Sequence, residues 1–393
     1  MDVGSAVVMA VSTAIGLAIL EFGSRYVAPA PAQPSKCYEP VPEYVFTLRP
    51  GSKGAITLID NDDRRITVPV SISEQGIRDD RIYGPKSPDE FRIIMLGDSY
   101  TMGHGLKTDE TYARVLERRL ASAGIGKRIV VINMGVGGYA PWQEAGFLQE
   151  RGFKLEPDLV IWQIFPSNDI AGTYSRLNKL LPTFDVQWER CYYNFRRQNE
   201  FPILAERWLQ THSNVYALIS TNYNYEGPVM KCLADLRMMP EYKYPRLVPK
   251  TDRHWLREPC LVEWYPELTE AFEMMCADIR ALKEKCDSRG VDLIGFAHSD
   301  EISLFPQAWV VLNEQSHGYQ YVMNKDIRVT QECFQSAGIP YAKVTDALLA
   351  LPEEERLEVF YRQDGHFSPA GAREVGAALA DYLVAEYFPR KKH

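Results

Sequence analysis

Apolar positions along this chain fall into short, nearly uninterrupted runs separated by stretches with helical spacing. The runs lack clean alternation, which suits parallel strands covered on both faces. They predict a central parallel sheet of about five strands, through 92–96, 129–133, 159–165, 215–219 and 291–296. Between the first two, Tyr112, Val115, Leu116 and Leu120 share one face of a helix over 112–123 that Gly124 ends. Further helices are expected over 142–153, 201–209, 268–286, 327–337 and 370–387, and a last short strand after Gly338. This alternation is that of an α/β fold with helices on both faces of the sheet. The next helix after the first run is expected near Thr108, which leaves Ser99 in a loop.

The amino-terminal part has a different pattern. Val3 to Leu20 is an uncharged apolar run, at the short end of what crosses a bilayer. An uncleaved anchor is expected over 1–27, with a cleavable signal ending near Ala32 and a docked helix as the alternatives. Residues 28–34, rich in alanine and proline, read as an extended spacer. Residues 38–76 read as a small β element in which Asn61–Asp63 turns between strands Ala55–Ile59 and Arg65–Val70. The expected organisation is therefore an anchor over 1–27, a spacer and β element over 28–90, and a main domain over 91–388. Two irregular insertions, at about 170–212 and 223–266, interrupt that domain.

Candidate chemistry collects at the carboxyl ends of the strand runs, where open α/β sheets bind ligands. The first run ends in Gly97-Asp98-Ser99-Tyr100, the second in Gly135-Val-Gly-Gly-Tyr139 and the third in Pro166-Ser-Asn168-Asp169; Asp364-Gly-His366 comes late in the chain. Glycines at the second end permit close backbone approach. Asp98 reads as a turn residue rather than an acid for its neighbour, and Asp169 as a turn or cap residue. His298-Ser299-Asp300 is too local to build a relay alone. The remaining histidines, His104 and His317 among them, show no metal-binding spacing, so no metal is expected.

These four blocks, in this order, resemble those of the SGNH (GDSL-type) hydrolase family, and of its membrane-anchored bacterial members. The resemblance covers roughly residues 91–383, and it implies a flavodoxin-like three-layer α/β sandwich. It places Ser99 as nucleophile, His366 as base and Asp364 as acid. The oxyanion donors it implies are Ser99, Gly135 and Asn168. A serine hydroxyl needs such a base, and the base needs a carboxylate to fix its tautomer. His104, Tyr100 and Tyr139 are further candidates for substrate contact, and a segment containing Arg78 could reach the site rim or lie solvated. No cofactor is implied. The expected activity is hydrolysis of an oxygen ester on a small molecule or glycan, with transfer of the acyl group to a sugar as a variant. A non-enzymatic subunit of a membrane complex, docking through the insertions, is the alternative from another class; a carbohydrate-binding module on the same fold is a third.

Composition narrows this further. With 393 residues, 46% of them hydrophobic, the chain can bury one large core and an appendage. Its net charge of −8 and the absence of a long basic block exclude a nucleic-acid footprint. Seven cysteines form no CxxC; Cys232 with Cys260 is a candidate pair if the protein is exported, which the anchor would make periplasmic or extracellular, and buried free cysteines are the alternative.

Overall fold

The computed structural model describes residues 3–27, 37–177, 181, 205, 208–209, 212–216, 255–316 and 318–392. These belong to two units, one of 1–32 with 189–247 and one of 33–188 with 248–393.

In the first unit Val3–Val27 forms one helix, α1. At about 1.5 Å per residue its 25 residues span about 37 Å. Its apolar side chains stand exposed, and by length and composition 7–27 suffices to cross a membrane. Near its end Glu21 accepts hydrogen bonds from Ser213 Oγ and from the Asn214 and Val215 N–H groups, while Arg25 donates to the His212 carbonyl. Residues 214–216 are helical, where the sequence predicted a strand over 215–219. Polar capping by Glu21 at their start holds these residues in a helix. The expected helix over 201–209 falls mostly outside the described residues.

The second unit is built on a parallel sheet of four strands among the described residues: β5 (Glu90–Gly97), β6 (Arg128–Gly135), β7 (Leu159–Ile164) and β8 (Asp292–Ala297), in the order β6-β5-β7-β8. No residue of 215–219 joins it among those described. Instead, Tyr341 makes a single parallel bridge to Gly295 beyond β8, and the chain goes on into the helix Val344–Leu349. The strands are buried nearly end to end, which is why their sequences read as continuous apolar runs.

Helices cover both faces. Trp162 on β7 packs against Phe334 of the helix Lys325–Ser336 and donates to Glu144 of α4 (Pro141–Glu150). Phe296, opposite Gln163 in the β7–β8 register, meets Tyr112 of α3 (Tyr112–Ser122). Adjacent strand positions point to opposite faces, so these two helix groups lie on opposite sides of the sheet. Cys276 and Cys333 are bonded, linking Pro266–Asp287 to Lys325–Ser336, whereas Cys260 is a buried free thiol; Cys232, its candidate partner, lies outside the described residues.

Before the sheet come two antiparallel hairpins: β1 (Tyr38–Val41) with β2 (Val45–Leu48), and β3 (Lys53–Ile59) with β4 (Arg65–Ser71). Arg78, which follows them, is neither at a rim nor solvated. It is buried and donates to Thr108 Oγ1 and to the Leu106 carbonyl, both at 2.9 Å, so it fixes the loop at 106–108.

The reversal of strand order at β5, with β6 on one side and β7 on the other, opens the crevice where such sheets bind ligands. At the β5 end the chain does not enter a loop. It turns at once into a one-turn helix, α2 (Ser99–Met102), capped by Asp98, whose Oδ1 accepts the Tyr100 N–H at 3.0 Å. That helix lies directly on the end of β6. A Cβ on Gly135 would sit 2.1 Å from the Met102 nitrogen and 2.5 Å from the Thr101 carbonyl carbon, both backbone atoms that cannot swing aside. Gly135→Ala is therefore expected to cost about 1–3 kcal/mol or more through overpacking, read as a lower thermal midpoint of unfolding.

Candidate active site

Ser99 is the first residue of α2, so its N–H lies in the helix turn that lacks intrahelical partners. Ser99 Oγ lies 2.8 Å from His366 Nε2, and His366 Nδ1 lies 2.7 Å from Asp364 Oδ1. An ionised carboxylate only accepts, so Nδ1 carries the hydrogen and Nε2 is left to accept from the serine hydroxyl. Although burial alone would raise it, the neighbouring His104 and the hydrogen bond from His366 hold Asp364 well below the usual carboxylate range. Burial, and next the neighbouring His104, hold His366 below the ordinary imidazole value.

Asp364 and His366 reach this position on a tight loop. The Phe360–Phe367 bridge closes its base, and the Asp364 and Gly365 N–H groups both donate to the Tyr361 carbonyl. Beyond it Ser368 caps the helix Pro369–Tyr382 by accepting from Ala370 and Gly371. The turn of the β3–β4 hairpin grips the other side. Asn61 Nδ2 donates to Glu358 and to the Phe360 carbonyl, Asn61 Oδ1 accepts the Arg362 N–H, and Gln363 donates to Asp63.

Asn168 sits in the first turn of α5 (Pro166–Ser175), which runs into the start of the region expected to be an irregular insertion. Its Nδ2 donates to Asp98 Oδ2 at 2.9 Å, tying it to the residue before Ser99 and leaving a second Nδ2 hydrogen. Asp98 is thus a cap and a clamp, not the triad acid; burial pushes its carboxyl up to about 6 against these hydrogen bonds. Asp169 folds back to accept the Phe165 N–H.

Gly135 is not an oxyanion donor here: its N–H donates to Asn133 Oδ1 at 2.9 Å. The turn after it comes closer to the nucleophile. A Cβ on Gly137 would lie 3.7 Å from Ser99 Cβ, and the Gly137 N–H meets only the weak acceptor Met102 Sδ, at 3.4 Å. The sequence shows three glycines in this turn, but not which N–H is already spent.

Tyr139 and Tyr100 are not substrate contacts. Tyr139 is buried and donates to the Phe46 carbonyl at 2.5 Å. Tyr100 is buried beneath His366, its ring 4.7 Å from that of His366 and its hydroxyl on the Gly365 carbonyl. It buttresses the base loop. His298 packs against Tyr100 from below and is held down to about 3 by burial; it takes no part in the relay. His104 does reach the site and stacks on His366. A residue with no signal in the sequence, Tyr38 of β1, brings its hydroxyl to 3.6 Å from Met102 Sδ, beside Gly137. His317, and the aromatic residues Trp188, Tyr192, Tyr193 and Phe195 of the first insertion, lie outside the described residues.

Among the described residues one group of donor atoms is close enough to suit a metal ion: His104, Asp364 and His366, within 4.8 Å of one another. With the relay assembled, His366 spends Nδ1 on Asp364 and Nε2 on Ser99, so it has no lone pair left for an ion.

No protein-family model matches the chain, and no curated protein matches it. Among solved structures it is similar to a lipase/acylhydrolase from Enterococcus faecalis, at 14% identity and TM-score 0.38, covering 75% of this chain and 95% of the other. It is similar to a protein of the G-D-S-L family from Desulfitobacterium hafniense, at 10% identity and TM-score 0.36, covering 74% and 99%. It is also similar to an acetylxylan esterase from Geobacillus stearothermophilus, at 12% identity and TM-score 0.37, covering 76% and 95%. Likeness of this degree bears on neither activity nor substrate. The resemblance to SGNH hydrolases rests on this chain's own residues: four blocks in order on an α/β sheet, with Ser99, His366 and Asp364 joined by hydrogen bonds.

Proposed function

We propose that this chain is a serine ester hydrolase of the SGNH type. The observation that carries the reading is the unbroken sequence Ser99 Oγ, His366 Nε2, His366 Nδ1, Asp364 Oδ1, drawn together from segments 267 positions apart. In the proposed reaction His366 Nε2 takes the Ser99 proton as Oγ bonds to the ester carbonyl carbon. The carbonyl oxygen becomes an oxyanion, and the proton passes to the leaving alcohol. Water, deprotonated by the same nitrogen, then releases the acid and restores the serine.

Donors to the oxyanion are the Ser99 N–H, the second Nδ2 hydrogen of Asn168, and the Gly137 N–H in place of that of Gly135. Asn168→Ala is expected to lower turnover by about 10²- to 10³-fold with little change in KM. The substrate class that suits the reading is an O-acyl ester on a glycan or small molecule. The hydrolase-like domain is 91–388, and α1 anchors it to a membrane with the domain periplasmic or extracellular.

Intact-mass analysis after treatment with a fluorophosphonate tests the reading without assuming a substrate. One adduct, absent from the Ser99→Ala variant, supports it. An unmodified wild-type chain that also fails to hydrolyse short acyl esters moves the weight to a non-enzymatic subunit.

A further inference from the structure

His104 enters the site from the loop behind the nucleophile, its backbone N–H donating to the Ser99 carbonyl at 3.0 Å. Its ring lies over that of His366, with centroids 4.3 Å apart and planes 26° apart. Its Nε2 faces Asp364 Oδ2 at 3.6 Å, while Oδ1 of the same carboxylate takes His366 Nδ1 at 2.7 Å. One carboxylate therefore faces two stacked imidazoles, one on each oxygen. Both rings are partly exposed, so protons reach them from solvent.

We propose that His104 is a positioning residue for the base: it holds the second oxygen of Asp364 and, through its charge, sets the pH at which His366 is free to accept a proton. This rests on the reading of Ser99, His366 and Asp364 as a triad.

The physical argument is one of charge count. A single carboxylate offsets one positive imidazole beside it but not two. Where His104 is charged, it repels a proton on His366 across the ring stack, so the two protonations are coupled. Burial and the charge of His104 act on His366 in the same direction, and Asp364 opposes them.

The other groups packed here do not supply a compensating charge. Tyr100 and Tyr361 are phenols held neutral by burial, with hydroxyls on the Gly365 and Gly105 carbonyls. His298, below Tyr100, is kept neutral by burial. Arg362, on the outer side of the loop, pairs with Glu358.

The test follows the imidazole signals of the full chain by NMR during a pH titration, in the wild type, in His104→Gln and in His104→Phe. Gln can still donate to Asp364 without charge, and Phe keeps the stacked ring without donor or charge. In the wild type, the His366 signals should move in two steps that coincide with those of His104. In both variants His366 should titrate in one step, about one pH unit above the lower wild-type step. A single His366 step in the wild type, with an unchanged midpoint in His104→Gln, overturns the proposal. So does a single His366 step in the wild type with the midpoint displaced only in His104→Phe, since that would mark a packing role. Fluorophosphonate labelling of the same samples separates the two readings. Coupled titration with no labelling at any pH upholds the hold of His104 on His366 while the hydrolase reading fails. Normal labelling with His366 titrating alone does the reverse.

Discussion

Ser99→Ala is expected to fold normally and to lose at least about 10³-fold of the hydrolysis of short acyl esters. The substitution removes only the hydroxyl and keeps the backbone N–H, and the structural role of the hydroxyl is small. The turn that presents it is made by others: Asp98 caps α2, Gly97 accommodates Thr101 and Gln163, and Met102 sits on Gly135. Removing Oγ should therefore leave the unfolding midpoint nearly unchanged while deleting the nucleophile. The measurement pairs steady-state hydrolysis of a chromogenic acetate with thermal unfolding. A rate close to wild type in a folded Ser99→Ala protein would refute the assignment. A collapse of folding would show that the hydroxyl carries structure not visible in its single bond to His366.

Asp364→Asn is expected to lower turnover by about 10⁴-fold with the fold intact. Oδ1 accepts from His366 Nδ1 and from the His366 backbone N–H at 3.3 Å, so it fixes both the tautomer and the position of the ring. An amide in its place can present N–H to Nδ1, and the ring must then carry its hydrogen on Nε2, facing Ser99. The base becomes a donor at the one atom where it must accept. The wild-type carboxylate is held well below the usual range, so above pH 4 a pH profile should show the loss of His366 as base, not the loss of this acid. The acid limb should fall below 6.5, the unperturbed imidazole value, because burial and His104 lower His366. An Asp364→Asn enzyme that kept most of its rate would remove the orienting acid from the mechanism.

Much of this arrangement was legible in the sequence because the sheet is buried on both faces. A doubly buried strand has to be apolar throughout, and β5, β6, β7 and β8 each appear as such a run, ending where the chain must turn. The same signal misled at 215 and 216, the described residues of the run expected over 215–219. Short apolar runs do not separate strand from helix, and there the capping carboxylate of Glu21 decides for helix. Nor could it find the edge of the sheet beyond β8, where Tyr341 contributes one bridge and no run. Ser99, His366 and Asp364 were readable as residue types in order. Their neighbours were not: the N–H of Gly135 is spent on Asn133, only two residues away, and Tyr139 and Tyr100 point into the core. His104 meets Asp364 only because the fold closes 260 positions of chain between them, and local pattern carries no trace of such a meeting.

The grip of Asn61 and Asp63 on the loop at 358–363 bears on the life of the protein before it is finished. At synthesis rates of about 5–20 residues per second, Ser99 leaves the ribosome roughly 15–50 s before His366 follows. Throughout that interval the serine has no base and the hairpin turn has no loop to hold. A serine hydroxyl without a base is a poor nucleophile. On the proposed reading the growing chain is therefore inert towards esters until the loop at 358–366 has been made and closes onto the hairpin turn at 61–63.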